Sequence, residues 1–237
     1  MRNTDGMRIF LGALVSSVIC FNAAHATDFS CPKPMAIPDR WEEHSVPPNL
    51  SFDPGVDVYD PVLTGYSSEH LGVLTIRPAS LPPISPGSYS PVDFPALNRG
   101  NPISGLASYG YWLVECSPFE LQFGDTLLLE PGAVQDTTFK AFLGLMAQDP
   151  SAYWDGSTQS VMGSQFDTSP RLVTILGYNP NYPPEAGRNN VVLTKFLWVF
   201  VESVGPASAI NVRIVDATTD VPVATIPTTW GRLKSKY

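Results

Sequence analysis

Side chains capable of acid–base or nucleophilic catalysis are scarce in this sequence. Beyond residue 26 the histidines are His44 and His70, and the chain contains no Gly-x-Ser-x-Gly elbow. Ser68 lies two residues from His70, and side chains at that spacing run side by side instead of meeting at one substrate atom. Ser30-Cys31-Pro32-Lys33 matches a Ser-x-x-Lys string, but its proline-rich setting favours coincidence. We therefore predict a protein that is not an enzyme and has no catalytic residue.

Carboxylates are plentiful, and their spacing along the chain does not define an active site. Glycoside hydrolysis needs two carboxyl groups at a set distance in space, which no sequence motif specifies. A carboxylate-based hydrolase therefore remains an alternative interpretation.

Three aspartates, Asp53, Asp57 and Asp60, lie close together in the segment FDPGVDVYD. Calcium prefers carboxylate and carbonyl oxygens, but this spacing is not that of an EF-hand loop. A solvated acidic loop is the favoured interpretation, and calcium binding is the alternative. The histidines and cysteines lack the close spacing of a zinc site. We predict no metal and no cofactor.

Aromatic residues are the candidates for a binding surface. They are Tyr109, Tyr111, Trp112 and Trp154, with Trp198 in a later strand. Such residues pack most often in a core or between sheets. If several were exposed together, they would favour an extracellular module that binds carbohydrate or protein.

The N-terminus is typical of a secretory signal. Arg2 and Arg8 precede an apolar run over residues 9–21, and Ala24-His25-Ala26 is a small-x-small cleavage site. We predict cleavage after Ala26, residues 1–26 as the signal peptide, and a secreted product that is periplasmic or extracellular. An uncleaved membrane anchor is the alternative. No later apolar stretch approaches the roughly 20 residues of a membrane span.

The predicted mature chain is acidic and rich in proline. The signal removes Arg2, Arg8 and Asp5, so the 14 basic and 22 acidic residues become 12 and 21, a formal charge of −9. This balance argues against a nucleic-acid partner, because no basic patch is available to release phosphate counterions. All 24 prolines lie beyond the signal, and such a density disfavours long helices and central strands.

Two cysteines remain after signal removal, Cys31 and Cys116. In an oxidising compartment an isolated pair favours a disulfide, which here would tie the start of the mature chain to its middle. Two free thiols are the alternative.

The hydrophobic pattern predicts short strands and one helix. The predicted strands cover residues 71–77, 109–116, 119–123, 127–129, 171–178, 191–202, 209–215 and 221–226. Phe139, Phe142, Leu143 and Met146 recur at helical spacing and predict a helix near 137–148, capped by Asp136 or Thr137. Residues 31–61 are predicted to be irregular.

These elements predict a mainly β fold, a two-layer β-sandwich-like domain with long proline-rich loops. We expect a single domain over 27–237, with an irregular N-terminal segment (27–70) and a C-terminal hairpin (205–230). The spacing leaves the strand order open.

Several blocks together resemble the extracytoplasmic C-terminal region of TadG-like proteins of the Tad (Flp) pilus-assembly system. The blocks are MAIPDRW, DVYDPVLTGYS, PGSYSPVDFP, GDTLLLEPG followed by QDPSAYWD, SPRLVTILGYNP and FLWVFVES. Members of that group carry an N-terminal membrane tether, whereas this chain is predicted to be released. Gln135-Asp136-Thr137 also replaces the Gly-Pro-Thr step of the group. The resemblance implies envelope or pilus proteins as partners and transfers no catalytic residue. We therefore expect a non-enzymatic structural or accessory protein of the cell envelope.

Overall fold

The structure is a computed structural model that describes residues 31–79, 84–94, 105–117, 121–130, 134–184 and 189–218. The predicted signal peptide, its cleavage site and the predicted strand over 221–226 lie outside these residues. So does half of the predicted C-terminal hairpin.

The described residues form nine strands and two α-helices. In chain order they are β1 (Pro32–Pro38), β2 (Gly72–Pro78), β3 (Ser88–Pro91), α1 (Gly105–Val114), β4 (Thr126–Leu128), α2 (Gln135–Gln148), β5 (Tyr153–Asp155), β6 (Ser160–Met162), β7 (Leu172–Tyr178), β8 (Asn190–Val204) and β9 (Ile210–Ala217). A 3₁₀ turn at Pro206–Ser208 joins β8 to β9.

Six of the strands form a closed barrel of mixed direction, in the order β8-β7-β1-β3-β2-β9. Pairing of β8 with β9 closes the ring, while β4 adds to the start of β8 and β5 pairs separately with β6. The β1–β7 and β2–β3 pairs are parallel, and the other pairs of the barrel are antiparallel. The mainly β prediction is therefore confirmed, but the two-layer sandwich is wrong.

The length of β8 explains the closure. This 15-residue strand pairs with β7 on one side and with β9 on the other. Its register with β9 shifts between Trp198 and Val199 and again between Val201 and Ser203. Such irregularities bend a strand and increase its twist, so one sheet curls into a ring instead of dividing into two layers.

The prediction that residues 31–61 are irregular is wrong for their first part. All seven residues of β1 are buried between β7 and β3. Pro32 and Pro38 occupy the ends of β1, and Pro34 lies where the register with β7 shifts. Proline has no backbone N–H to donate to a ladder. At these three positions β1 can do without an N–H hydrogen bond. Residues 39–61 contribute one isolated bridge, between Glu42 and Val58.

The segment predicted as a strand at 109–116 is helix α1. Tyr109, Trp112 and Leu113 are buried, while Tyr111 is 44 % exposed. Buried residues three and four positions apart follow the period of a helix and not that of a strand. The strand predicted at 119–123 falls partly outside the described residues, and its described part, 121–123, is not a strand.

Helix α2 confirms the helix predicted near 137–148, with two corrections. The predicted capping side chains are not used, because Val134 is the N-cap and no side chain caps the helix. The buried face consists of Thr138, Ala141, Phe142 and Leu145, whereas Leu143 of the predicted face is exposed. The Tyr109 and Thr138 hydroxyls hydrogen-bond at 2.7 Å and join the two helices.

Five of the other described strands agree with the predictions, whereas β3, β5 and β6 were not predicted. β2, β7, β8 and β9 lie within two residues of the expected bounds. β4 matches the predicted run at 127–129, although only Leu127 is fully buried there.

The largest hydrophobic cluster holds the barrel together. It contains side chains from all six barrel strands and from both helices, among them Met35, Ile76, Tyr89, Phe142, Ile175, Val199 and Val212. A second cluster packs Trp112 of α1 and Leu127 of β4 against β1, β7 and β8. Within the described residues, no helix is long and apolar enough to cross a bilayer.

Cys31 and Cys116 form a disulfide with their Cα atoms 4.3 Å apart, as predicted. The bond joins the residue before β1 to the end of α1. Lys33 supports the same junction, because its buried Nζ donates to the carbonyl oxygens of Val114 (3.3 Å) and Glu115 (3.2 Å). Burial lowers the pKa of Lys33 to about 8, although the Glu115 carboxylate opposes this shift.

Replacing Cys31 and Cys116 together with serine should reduce the free energy of unfolding. The bond closes a loop with a sequence separation of 85 residues, for which loop-closure entropy gives about 4.5 kcal/mol. Urea titrations of the oxidised chain and the variant would measure the loss. Adding reductant to the variant should change nothing, and equal midpoints for the two chains would contradict a stabilising role.

Candidate functional site

The most distinctive surface feature is a cleft of about 520 Å³ between the β5–β6 hairpin and the barrel wall. Its aromatic lining is Trp154, Trp198 and Phe166, and its acidic lining is Asp167 and Asp216. We call it the tryptophan cleft.

Trp154 reaches the cleft on a short hairpin. It is paired with Val161, and a tight turn connects β5 to β6. The Asp155 carboxylate organises that turn by accepting the Ser157 N–H at 2.9 Å and the Thr158 hydroxyl at 3.0 Å. The backbone N–H and hydroxyl of Ser157, followed by the Thr158 hydroxyl, hold the pKa of Asp155 below its usual value. Carboxylate capping of this kind gives a short turn one defined shape.

Trp198 reaches the cleft on the barrel wall. From 191 to 199, the odd-numbered residues of β8 are buried and the even-numbered ones are partly exposed. Trp198 therefore points away from the core, since side chains alternate along a strand. Its strand neighbours are Thr174 on β7 and Asp216 on β9. The register of β8 with β9 thus places a carboxylate beside the indole.

Asp149 fixes the loop that carries Phe166 and Asp167. This fully buried aspartate accepts hydrogen bonds from the hydroxyls of Ser164 and Ser169, each at 2.7 Å, and from the Gln165 N–H at 3.3 Å. Burial acts to raise the pKa of Asp149, but the hydrogen bonds from Ser169 and Ser164 outweigh it and hold the pKa below its usual value. The loop is therefore tied to the end of α2 through an ionised side chain.

Arg171 joins the same region to the barrel. Its guanidinium donates to the carbonyl oxygens of Asp149 (3.2 Å), Ala152 (2.6 Å), Val201 (2.6 Å) and Glu202 (3.0 Å), and it lies 4.6 Å from the centre of the Phe200 ring. Arg171 is 3 % exposed, and five N–H donors in a rigid fork suit such a convergence of carbonyls. One side chain thus holds the end of α2, the start of β5 and the end of β8 together.

Arg213 provides a second link between hairpin and barrel. Its guanidinium lies 5.8 Å from the centre of the Trp154 ring and forms an ion pair of 2.5 Å with Glu202. A cation over an indole face is attracted by the ring quadrupole. This contact restricts the position of the Trp154 ring.

The chemistry of the tryptophan cleft suits a neutral ligand that is rich in hydroxyl groups. Among the described residues, no basic side chain lines it; besides the aromatics and aspartates it presents Thr158, Gln159, Ser160, Ser164, Thr168 and Ser169. Aromatic faces attract weakly positive C–H groups, while carboxylates and hydroxyls accept hydrogen bonds from ligand hydroxyls. One sugar ring offers both kinds of group, on its faces and around its edge.

The predicted binding aromatics do not form one surface. Tyr109 and Trp112 are buried, and Tyr111 is exposed but stacks edge-on against Trp112 with ring centres 4.6 Å apart. Of the four predicted binding aromatics, only Trp154 reaches the cleft. Trp198, named as a further aromatic, lies there with it. Phe166 and Asp216 were missed, although the period-two pattern of β8 could have shown that Trp198 faces outward.

The histidines do not form a catalytic set with the residues considered from the sequence. Nδ1 of His70 contacts the Ser67 hydroxyl at 2.9 Å, so its partner is not Ser68. Ser67 and His70 also share a turn, because the His70 N–H donates to the Ser67 carbonyl. His44 pairs with Glu42 at 3.2 Å in an exposed position. Lys33 of the Ser-x-x-Lys string donates to the Val114 and Glu115 carbonyls, and Ser30 lies outside the described residues.

The three clustered aspartates organise backbone turns. Asp57 accepts the N–H groups of His44 and Asp53, each at 2.8 Å, and Asp53 accepts the Gly55 N–H at 2.9 Å. Asp60 accepts the N–H groups of two residues that follow it. Among the described residues, no group of three or more potential ligands is placed to hold a metal ion.

Two carboxylates, Asp93 and Glu130, lie near each other on neighbouring segments bridged by Val92 and Leu129. Burial raises the pKa of both groups, and the Asp93 charge adds to the rise at Glu130. Neither group lines the tryptophan cleft.

Asp39, after the end of β1, is the most deeply buried carboxylate outside the cleft region. It accepts the N–H groups of Arg40 and Tyr66, each at 2.8 Å, and the Tyr59 hydroxyl at 3.0 Å. Burial raises the pKa of Asp39 to about 6, although these hydrogen bonds and the positive charge of Lys195 oppose the rise.

In comparisons with known proteins, no protein-family model, no curated protein and no solved structure matches the chain.

Replacing Asp149 with alanine should loosen the tryptophan cleft and destabilise the protein by about 3 kcal/mol. The change removes the acceptor of the Ser164 and Ser169 hydroxyls, and it removes a negative charge that acts on buried Arg171. Hydrogen exchange should rise most in residues 164–169 and in the β5–β6 hairpin. Asp136→Ala, at an exposed position in the first turn of α2, is the surface control. An even rise across the fold would contradict a local role.

The Asp39 carboxyl should make stability decrease as pH rises from about 4 to about 6. Its pKa is raised from 3.8 to about 6 in the folded state, so the native protein binds a proton that the unfolded chain releases. The loss is at most about 3 kcal/mol. Urea titrations across this range should show a shallower pH dependence for Asp39→Asn. Identical pH profiles for the two proteins would contradict the shift.

Proposed function

We propose that this protein is a non-enzymatic accessory protein of the cell envelope, exported from the cytoplasm, that binds a neutral glycan in the tryptophan cleft. The observation that carries the proposal is the convergence of Trp154, Trp198 and Phe166 with two carboxylates in one open cleft. A volume of about 520 Å³ falls within the range of small-ligand sites.

Rigidity supports a binding role. The hairpin, the 164–169 loop and the barrel wall are each held by buried polar contacts of Asp149 and Arg171. A site held in its binding conformation loses less entropy when a ligand binds.

Export is supported by two observations of different kind. The Cys31–Cys116 disulfide is typical of oxidising compartments. The sequence begins with a signal-like segment ending in Ala24-His25-Ala26. The resemblance to TadG-like regions adds the expectation that the glycan-binding surface works beside envelope or pilus proteins.

Titration with neutral oligosaccharides tests the proposal. The processed chain should show saturable tryptophan fluorescence changes with at least one of chitotetraose, cellotetraose and maltotetraose, since Trp154 and Trp198 line the site. Trp154→Ala should weaken that binding about five- to tenfold, because an aromatic contact of about 1 to 1.5 kcal/mol is lost.

Tyr153→Ala is the matched control. Tyr153 is adjacent on β5 and 57 % exposed, but it does not line the cleft. Its loss should leave the affinity unchanged. Absence of binding to every oligosaccharide, or equal losses in both variants, would overturn the glycan proposal. Release of shorter sugars during incubation would instead favour the carboxylate-based hydrolase, and Asp167→Asn and Asp216→Asn would then identify its acids.

A further inference from the structure

A second site follows from the unequal lengths of two neighbouring strands. β2 has seven residues and β3 has four. They pair only at Arg77–Ser88 and Pro78–Tyr89, whereas β2 pairs with β9 from Gly72 to Ile76. Among the described residues, no strand therefore pairs with the β3-facing edge of β2 over Gly72–Leu74.

The chain before β3 turns away from this edge. Gly87 has a φ of +73°, and a Cβ on it would lie 2.3 Å from the Thr75 carbonyl oxygen. The N–H of Ser88 donates to the Ser85 carbonyl, which closes a turn at this point. Continuation of β3 along Gly72–Leu74 is thus replaced by a turn, and a gap is left beside β2.

A cavity of about 400 Å³ lies against this part of β2, and its lining also includes Pro86 before β3 and Ile214 of β9. Gly72, Val73 and Leu74 form the strand side of it, and Arg40, Trp41 and Glu43 line it from the segment that follows β1. We call this cavity the β2 slot. Its apolar wall is open to solvent, since Leu71 and Val73 are 44 % and 56 % exposed.

The polar groups of the β2 slot are incompletely used. The Arg40 guanidinium donates to the Thr64 carbonyl at 2.8 Å, and no described carboxylate forms an ion pair with it. Oε2 of Glu43 is buried and has no hydrogen-bond partner among the described residues. His70 also lines the slot, and burial followed by the nearby Arg40 charge lowers its pKa. The slot therefore offers a cationic donor, a carboxylate acceptor and a neutral imidazole.

We propose that the β2 slot binds the C-terminal end of an extended, apolar peptide by strand addition. The peptide backbone pairs with the Gly72–Leu74 edge in the position that β3 leaves empty, and its apolar side chains contact Leu71 and Val73. Its terminal carboxylate binds Arg40, and a backbone N–H donates to Glu43. Strand addition obtains affinity from main-chain hydrogen bonds and specificity from side-chain pockets and end groups.

Charge complementarity selects this occupant. An internal peptide segment leaves Arg40 without an anion, and a fatty acid leaves the strand edge and Glu43 without partners. A carboxyl-terminal peptide satisfies all three. This site is separate from the tryptophan cleft, so it can succeed or fail without affecting the glycan proposal.

Amide NMR of the ¹⁵N-labelled protein provides the test. The probe is acetyl-Val-Leu-Val with a free C-terminal carboxylate, and the same peptide with a C-terminal amide is its control. The free acid should shift the amide signals of Gly72–Leu74 and Arg40 in a saturable way. The amidated peptide should bind about tenfold more weakly, since it lacks the charge-assisted contact.

Two pairs of variants separate the contacts from general effects. Arg40→Gln should lower the affinity for the free-acid peptide about tenfold and remove the preference for this peptide over the amidated one. Lys140→Gln on α2 removes the same charge and should change neither the affinity nor the preference. Val73→Asp should lower the affinity for both peptides, whereas Leu143→Asp, also at an exposed apolar position, should leave both affinities unchanged. Melting curves of each variant confirm folding.

Other outcomes overturn the proposal. Equal affinity for acid and amide would remove the role of Arg40. Shifts caused equally by decanoate would indicate a site for amphipathic anions and not for peptides. Shifts at the β2 edge that depend on protein concentration without peptide would indicate edge-to-edge pairing of two copies. No shift at millimolar peptide would exclude strand addition of this sequence class.

Discussion

The buried pair of Asp149 and Arg171 is the constraint on which much of this structure depends. Asp149 gathers the 164–169 loop, and Arg171 gathers three carbonyl-bearing segments from α2, β5 and β8. Burying a guanidinium is costly unless its donors are satisfied, and here the backbone itself satisfies them. The arrangement fixes irregular segments that hydrophobic packing alone would hold weakly. The tryptophan cleft exists because these segments are held at a set distance from the barrel wall.

A second junction holds the first strand of the barrel in place. The disulfide and Lys33 both connect β1 to the end of α1. β1 carries prolines and has few ladder bonds of its own, so it gains its place in the barrel from burial and from this junction. The barrel therefore combines a well-paired half, built on β7, β8 and β9, with a half around β1 and β3 that relies on side-chain contacts and a covalent bond. The β2 slot lies in that second half, where strand pairing is shortest.

The two proposed sites differ in the chemistry that they offer. The tryptophan cleft has aromatic faces, hydroxyls and carboxylates and suits a neutral polyhydroxyl ligand. The β2 slot has a strand edge, an apolar wall and an arginine and suits a peptide end. Arg40 supplies the cationic group of the β2 slot, and no described carboxylate forms an ion pair with it. A glycan site and a peptide site on one exported module would let it join an envelope polymer to a protein partner.

Local pattern was sufficient to predict the mainly β class, the helix near α2, the strands β2, β7, β8 and β9, and the cysteine pair. The strands and the helix follow from the apolar periodicity of neighbouring residues. The disulfide follows from the presence of two cysteines in a chain that is predicted to be exported. Segments whose structure is set by distant partners were predicted poorly. β1 is a buried strand despite its prolines because β7 and β3 enclose it. α1 resembles a strand in composition, since tyrosine, tryptophan and valine favour strands, yet packing against α2 makes it a helix.

The sequence by itself determined which chemical groups are present: aromatic residues in strand patterns, an excess of acidic residues and one pair of cysteines. The tertiary structure alone decided that one sheet closes into a barrel, because closure depends on the irregular register of β8 with β9. It also decided which aromatics meet. Trp154 and Trp198 are far apart along the chain, and only the barrel wall, the short hairpin and the buried arginine bring their rings to one cleft.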